Sequence, residues 1–153
     1  MKILLKVFTF LLLLTNFSNA DLIKPGIALK PLDVLVLQLN SLQNNDYPYK
    51  DAGIEQAWEF AHPNNKIMTD PLKKFKQMIY SKSYEILIRH EKSEITILNE
   101  TNNKSVYKVY ILSKDKKKYY YIWQAEKVLK NSNLENCWMT TSVSSPVYIG
   151  DII

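Results

Sequence analysis

The sequence predicts an α+β fold in which N-terminal helices precede an antiparallel sheet. Two observations support this prediction. Apolar residues recur at spacings of three and four up to about residue 79, and from residue 84 they alternate with polar residues. Helices that come first and strands that follow, rather than the two in alternation, are typical of α+β proteins. The chain of 153 residues suits one domain, which we place at residues 31–146.

Residues 1–20 are predicted to be a secretory signal peptide that is cleaved after Ala20. Two lysines flank the start of an apolar run at residues 7–14, and the small residues Ser18 and Ala20 suit the signal peptidase. The apolar run is shorter than the roughly 20 residues that a membrane span requires. An uncleaved signal anchor is the alternative.

The prediction of a signal peptide implies export to a periplasm, to a thylakoid lumen or to the medium. Once the signal peptide is removed, residues 21–30 form a leader before the domain, and residues 147–153 form a tail after it. We then expect no stable membrane anchor. The formal net charge falls from +5 to +3 because two lysines are lost, which leaves a mildly basic chain. An exported chain of this charge is not expected to bind nucleic acid.

Three helices are predicted from apolar spacing and from proline. The first covers residues 31–43 and has proline in its first turn, where the missing N–H costs nothing. The second covers residues 53–61 and ends at the segment 62–65, because the residue before a proline avoids helical angles. The third begins at the Asp-Pro pair of residues 70–71, with the aspartate as its N-cap.

Five strands are predicted in the second half of the chain, where the apolar period is two. A lysine-rich hairpin turn at residues 114–118 separates two of them, and short turns favour antiparallel neighbours. The strands are predicted at residues 84–90, 94–98, 106–112, 119–126 and 137–143.

The composition excludes several classes of protein. The three glycines Gly26, Gly53 and Gly150 lie far apart, so the chain has neither a dinucleotide-binding fingerprint nor a phosphate-binding loop. The single cysteine, Cys137, excludes an internal disulfide framework and a zinc site built on several thiolates. We therefore expect no cofactor and assign no metal ligand.

Six residues are candidate ligand-binding residues. The polar segment 45–51 contains two aspartates, and either would become a general base if it lined a closed apolar cavity, because burial raises a carboxyl pKa. The alternative is that both aspartates cap turns and helices. The two histidines lie on different predicted elements and have structural or surface alternatives, although His90 continues an apolar strand face. The candidates are Asp46, Tyr49, Asp51, Trp58, His62 and His90.

Four spaced segments resemble a family of uncharacterised proteins from cyanobacteria, chloroplasts and other bacteria. They read LQNNDYPYKDAGI at residues 42–54, FAHPNN at 60–65, PLxxFxxMI at 71–79 and CWMT at 137–140. This domain of unknown function is placed with the nuclear transport factor 2-like superfamily. The resemblance therefore implies a cone, in which a curled antiparallel sheet wraps around the helices and leaves a cavity. It transfers no catalytic residue to this chain.

The leading functional interpretation is an exported, non-catalytic binding or accessory protein that uses the cavity or a sheet face to bind an unknown small molecule or protein. The alternative is a small acid/base enzyme, either an isomerase, a dehydratase or a hydrolase. That alternative requires a carboxylate and a histidine in the same closed apolar pocket. A third interpretation is a homodimer through the outer sheet face, which requires a large exposed apolar patch.

Overall fold

The computed structural model describes residues 21–130 and 133–152, so the predicted signal peptide lies outside the described residues. The order of elements is helices first and an antiparallel sheet second, which confirms the α+β prediction. The described elements are α1 (Pro31–Gln43), α2 (Ala52–Glu59), α3 (Pro63–Thr69), α4 (Leu72–Ile79), a 3-10 helix (Glu85–Leu87), β1 (Lys92–Glu100), β2 (Lys104–Leu112), β3 (Lys117–Lys127), β4 (Trp138–Val143) and β5 (Val147–Asp151).

Strand β3 is the centre of a five-stranded sheet in which every described strand pair is antiparallel. One edge of β3 pairs with β2, which in turn pairs with β1. The other edge pairs with β5 near the start of β3 and with β4 near its end, so a corner at residues 144–146 separates the two partners. The residues predicted as a tail, 147–153, therefore include a strand of the sheet.

The core lies between the helices and one face of β2 and β3. Alternate side chains of these strands face the helices, as the period of two predicts. Leucines of α1 meet them from the helical side, at the predicted spacing. The buried residues of this layer include Leu35, Leu39, Leu42, Tyr107, Val109, Ile111, Tyr121 and Trp123.

The segment between α1 and α2 is a tight corner built on Asn45, which is completely buried. The Asn45 side-chain Oδ1 accepts a hydrogen bond from the Ile54 N–H at 3.0 Å, and its backbone carbonyl accepts one from the Gly53 N–H at 2.8 Å. Gly53 lies so close to α1 that a Cβ atom there would be 2.0 Å from the Ser41 carbonyl oxygen. The corner therefore requires a glycine at this position.

The predicted strand at residues 84–90 is wrong. These residues form turns and the 3-10 helix, and Arg89 has a positive φ of 55°. The side chains of Ile86, Leu87 and Ile88, which are consecutive, all pack into or against the main core, so burial does not alternate as it would in a strand. Leu87 enters the main core and the Tyr84 hydroxyl donates to the Val143 carbonyl at 3.0 Å, so tertiary contacts override the strand-like alternation.

A helix that the sequence analysis missed begins where the second helix was predicted to stop. His62 is the N-cap of α3, and its Nδ1 accepts a hydrogen bond from the Asn64 N–H at 3.1 Å. Pro63 occupies the first turn, so proline starts one helix after ending another. The chain just before α3 also covers the outer edge of β4, through hydrogen bonds of 2.8 Å that join Thr140 to Phe60 and His62.

The third predicted helix is confirmed with a later start. It begins at Leu72, and Pro71 rather than Asp70 occupies the N-cap position. None of the described helices is long and apolar enough to cross a membrane.

Candidate ligand-binding site

An apolar pocket of about 190 Å³ lies between the helices and the edge of the sheet formed by β4. Its apolar wall comes from α1, α2, α4, the 3-10 helix and the inner face of β3 and β4. Elements distant in sequence therefore build one cavity. The apolar lining side chains are Leu42, Ala57, Ala61, Phe75, Met78, Ile79, Leu87, Trp123 and Val143.

Three buried polar side chains form a hydrogen-bonded relay at this pocket. The Trp123 Nε1–H donates to the Thr140 hydroxyl oxygen at 3.0 Å, and the Thr140 hydroxyl donates to Gln38 Oε1 at 2.5 Å. The Gln38 Nε2 donates in turn to the Ala57 carbonyl at 3.0 Å. All three side chains line the pocket, so the relay places an amide group in an otherwise apolar wall.

The remaining polar lining groups are neutral. They are the side chains of Tyr84, Asn65, Thr141 and Ser142. Asn65 Nδ2 lies 3.5 Å from the Thr140 carbonyl oxygen, which is the long limit of a hydrogen bond. Among the described residues, no aspartate, glutamate, histidine, lysine or arginine lines this pocket.

Two of the candidate residues, Asp46 and Asp51, lie in a surface network near the α1–α2 corner. Arg89 forms an ion pair with Asp46. The hydrogen bond from Arg89 is the main cause that lowers the pKa of the Asp46 carboxyl below its ordinary value, and the Asp51 backbone N–H adds to it. Asp46 is therefore a paired surface carboxylate rather than a buried base.

Asp51 occupies the N-cap position of α2 without a side-chain cap, which differs from the helix cap that the sequence analysis offered as one interpretation. The Tyr80 hydroxyl donates to the Asp51 carboxylate instead, and this hydrogen bond is the main cause that lowers the pKa of Asp51. The Lys76 ammonium lies 3.6 Å from the same carboxylate. The contacts tie the start of α2 to the end of α4.

Tyr49 belongs to the same network, whereas Trp58 packs against the main core. The Tyr49 hydroxyl donates to Glu55 at 2.8 Å, and Glu55 also pairs with Lys76 at 2.8 Å. The half-buried Trp58 ring packs against Phe75 with 4.9 Å between ring centroids, so it lies behind the pocket wall rather than in it.

The two histidines have different structural roles. His62 caps α3, whereas the His90 Nδ1 lies 2.8 Å from the Leu87 carbonyl. Neither lines the apolar pocket; His90 borders an open surface groove next to the lysine-rich turn. The structure thus brings Asp46, Tyr49 and Asp51 together, and Asp46 and His90 line one open surface groove. Among the described residues, no carboxylate and no histidine line the apolar pocket.

Burial lowers the pKa of both histidines. The charge of Glu126 raises the pKa of His62 in part, and the hydrogen bond to the Leu87 carbonyl does the same for His90, but burial is the larger effect at each residue. An unfolded histidine has a pKa of about 6.5, so between the folded pKa and that value the unfolded chain binds more protons. We expect the free energy of unfolding to fall as the pH drops below about 6.5, by at most about 1.4 kcal/mol per pH unit for each histidine.

Urea unfolding at pH 7, 6 and 5 measures this dependence. The double variant His62→Asn, His90→Gln should have a flatter profile, because asparagine keeps a cap acceptor and neither new side chain titrates. An unchanged slope in the double variant would contradict the assignment to these histidines.

None of the six candidate residues lines the apolar pocket, so the sequence analysis missed its polar lining, which includes Gln38, Asn65 and Thr140. One signal was present for Gln38, since it lies four residues before Leu42 and three after Leu35, within the apolar stripe of α1. A polar residue on a buried helix face requires a partner, which here is Thr140 of β4. The pairing itself joins residues 102 positions apart, so no local pattern reveals it.

Fold and pocket together define a small α+β domain with one neutral, largely apolar cavity between helices and sheet. Within the described part of the chain, no group of three His, Cys, Asp or Glu residues is placed to hold a metal ion. Comparisons with family models, with curated proteins and with solved structures find no match for this chain.

Proposed function

We propose that this protein is a non-catalytic binding module whose working site is the apolar pocket. The observation that carries the proposal is a cavity of about 190 Å³ with a mostly apolar wall. An apolar cavity of about 150 Å³ is large enough to bind benzene. We therefore expect a small ligand, about the size of one substituted ring.

The chemistry of the pocket wall supports binding rather than acid/base catalysis. A general acid or base must lie within hydrogen-bond reach of the reacting atom. The described lining has no carboxylate and no histidine. The carboxylates of Asp46 and Asp51 are held ionised by Arg89 and Tyr80 on the surface, so their environment does not favour the enzyme alternative.

The wider biological setting is also a proposal. We propose that residues 1–20 direct export, that the mature chain works in a periplasm, a thylakoid lumen or the medium, and that the domain is a cone of the nuclear transport factor 2-like type. The antiparallel sheet that follows the helices supports the cone. The homodimer interpretation has weaker support, because the outer sheet face places Lys108 within 4.2 Å of the Tyr120 ring centroid and is not purely apolar.

Filling the pocket tests the proposal. Val143 lines the pocket, whereas Val106 lies on the outer face of β2 and is half-buried. The variants Val143→Phe and Val106→Phe thus make the same change in the same sheet, inside and outside the site. Cumene, a one-ring hydrocarbon, serves as the probe, and binding is followed by chemical-shift changes in NMR spectra.

We expect the wild type and Val106→Phe to bind cumene with a Kd of about 1 mM or tighter, which corresponds to about −4 kcal/mol. Val143→Phe should bind at least about tenfold more weakly, because the added ring occupies the cavity. Circular dichroism of both variants checks that the fold is kept. Equal binding by the two phenylalanine variants would contradict the proposal, and so would a wild type that does not bind.

A further inference from the structure

The relay at the pocket fixes the orientation of the Gln38 amide. The Ala57 carbonyl can only accept, so the Gln38 atom beside it is Nε2. The Thr140 hydroxyl oxygen accepts from the Trp123 Nε1–H, and the Thr140 hydroxyl proton is directed to Gln38. The Gln38 atom that receives this proton is therefore Oε1. Its Nε2 must face the other way, where it donates to the Ala57 carbonyl.

This orientation leaves one amide proton unused. An NH₂ group has two protons, and among the described residues the Ala57 carbonyl is the one acceptor within hydrogen-bond distance of Gln38 Nε2. Gln38 is 3% exposed and lines the pocket, so a partner for the second proton would have to lie inside the pocket. A buried donor without a partner costs free energy. A ligand oxygen at this end of the pocket would remove that cost.

The absence of acidic and basic side chains from the described lining limits the ligand in a second way. A carboxylate, phosphate or ammonium group in the pocket would have no counter-charge, and an unpaired buried charge costs several kcal/mol. The wall therefore rejects charged groups and accepts neutral ones. A ring-sized apolar body would fill the space between Leu42, Phe75 and Ile79.

We infer that the pocket selects a neutral, one-ring molecule with a hydrogen-bond acceptor, such as a ketone or hydroxyl oxygen, which the second Nε2 proton of Gln38 recognises. The inference rests on the proposed function, since it names the class of ligand that the same site binds. Gln38 is a specificity-determining residue in this account, and the relay through Thr140 and Trp123 holds it in position.

Three probes of closely similar shape and size separate these features. Cumene has no acceptor, acetophenone has a ketone in place of one methyl group, and benzoate has a charged carboxylate. Dissociation constants are measured by NMR titration at pH 7 on the wild type, on Gln38→Met and on Gln56→Met. Gln56 is the matched control because it is also buried and hydrogen-bonded, to the Ile23 backbone, but does not line the pocket.

The quantity to compare is the affinity for acetophenone divided by the affinity for cumene, because this ratio cancels general changes in the apolar wall. Gln38→Met should lower the ratio about 2- to 10-fold, the value of one net hydrogen bond, and Gln56→Met should leave it unchanged. An unchanged ratio in Gln38→Met would overturn the inference. The proposed function would still stand in that case, provided that the wild type binds cumene. A wild type that does not bind cumene would overturn both the inference and the proposed function.

Benzoate gives a measurement that does not depend on any variant. The wild type should bind benzoate at least about tenfold more weakly than acetophenone, because the carboxylate has no partner in the pocket. Benzoate that binds as tightly as acetophenone, with shift changes at the pocket residues, would overturn the selection of a neutral ligand.

Discussion

Gly53→Ala is expected to destabilise the protein by at least about 3 kcal/mol, which lowers the melting temperature by roughly 10 °C for a domain of this size. The added Cβ would lie 2.0 Å from the Ser41 carbonyl oxygen and 2.7 Å from the Asn45 Cα. Both atoms belong to the backbone, so relief requires α2 to move away from α1. Thermal and urea unfolding followed by circular dichroism measure the effect.

Gly26→Ala is the matched control for this prediction. A Cβ atom at Gly26 would meet no atom within 4 Å, so the same substitution has room there. We expect a change of less than about 1 kcal/mol, in the stabilising direction if alanine restricts the unfolded chain. A Gly53→Ala variant as stable as Gly26→Ala would show that the two helices do not approach as closely as described.

Asn45→Ala is expected to have the second-largest effect, a loss of about 3 kcal/mol. The substitution leaves the buried Ile54 N–H without its acceptor, which costs about 1–3 kcal/mol. It also removes the Nδ2 contacts to Asp46 at 3.1 Å and to Asp51 at 3.4 Å, and it leaves a small cavity at a completely buried position. Urea unfolding measures the loss.

The neighbouring residue Asn44 provides the comparison for this variant. Its side chain is exposed and donates to the Asn40 carbonyl at the end of α1, at 2.9 Å. Asn44→Ala should therefore cost less than about 1 kcal/mol. If Asn44→Ala and Asn45→Ala lose the same stability, the corner is not organised around Asn45.

The polar segment at residues 45–51 combines features of a candidate site with features of a structural corner. Residues 45–51 carry carboxylates and an amide close to an aromatic helix, a pattern that also occurs in active sites. The contacts show that Asn45 and Gly53 hold α2 against α1, while Asp46 and Asp51 pair with groups beyond the corner. The sequence shows the polar residues of this segment, but it does not show which distant residues they contact.

Local signals were sufficient where a single element determines burial. Pro31 and the leucine spacing located α1 to the residue, and the alternation around Tyr107 and Tyr121 identified the inner faces of β2 and β3. They failed at residues 84–90, where the alternation resembles a strand but the consecutive residues Ile86, Leu87 and Ile88 all contact the core. The competing contacts there come from α1 and β4, which a local window does not contain.

The pocket was beyond local prediction for the same reason. Its relay joins α1 to β3 and β4, and its lining includes Asn65 of α3, a helix that begins in the segment where the second helix was predicted to end. Cavities arise where elements fail to fill space together, which is a property of tertiary packing. The candidate histidines and aspartates were chosen for their chemistry, whereas the pocket wall is mostly apolar and neutral.

A crystal structure of the protein soaked with cumene tests the central claim most directly. The account predicts ring-shaped density inside the pocket, in contact with Leu42, Phe75 and Ile79, and no such density in crystals of Val143→Phe. The central claim would be contradicted by an unfilled pocket in the wild type while cumene saturates other surfaces, or by the same density in both proteins.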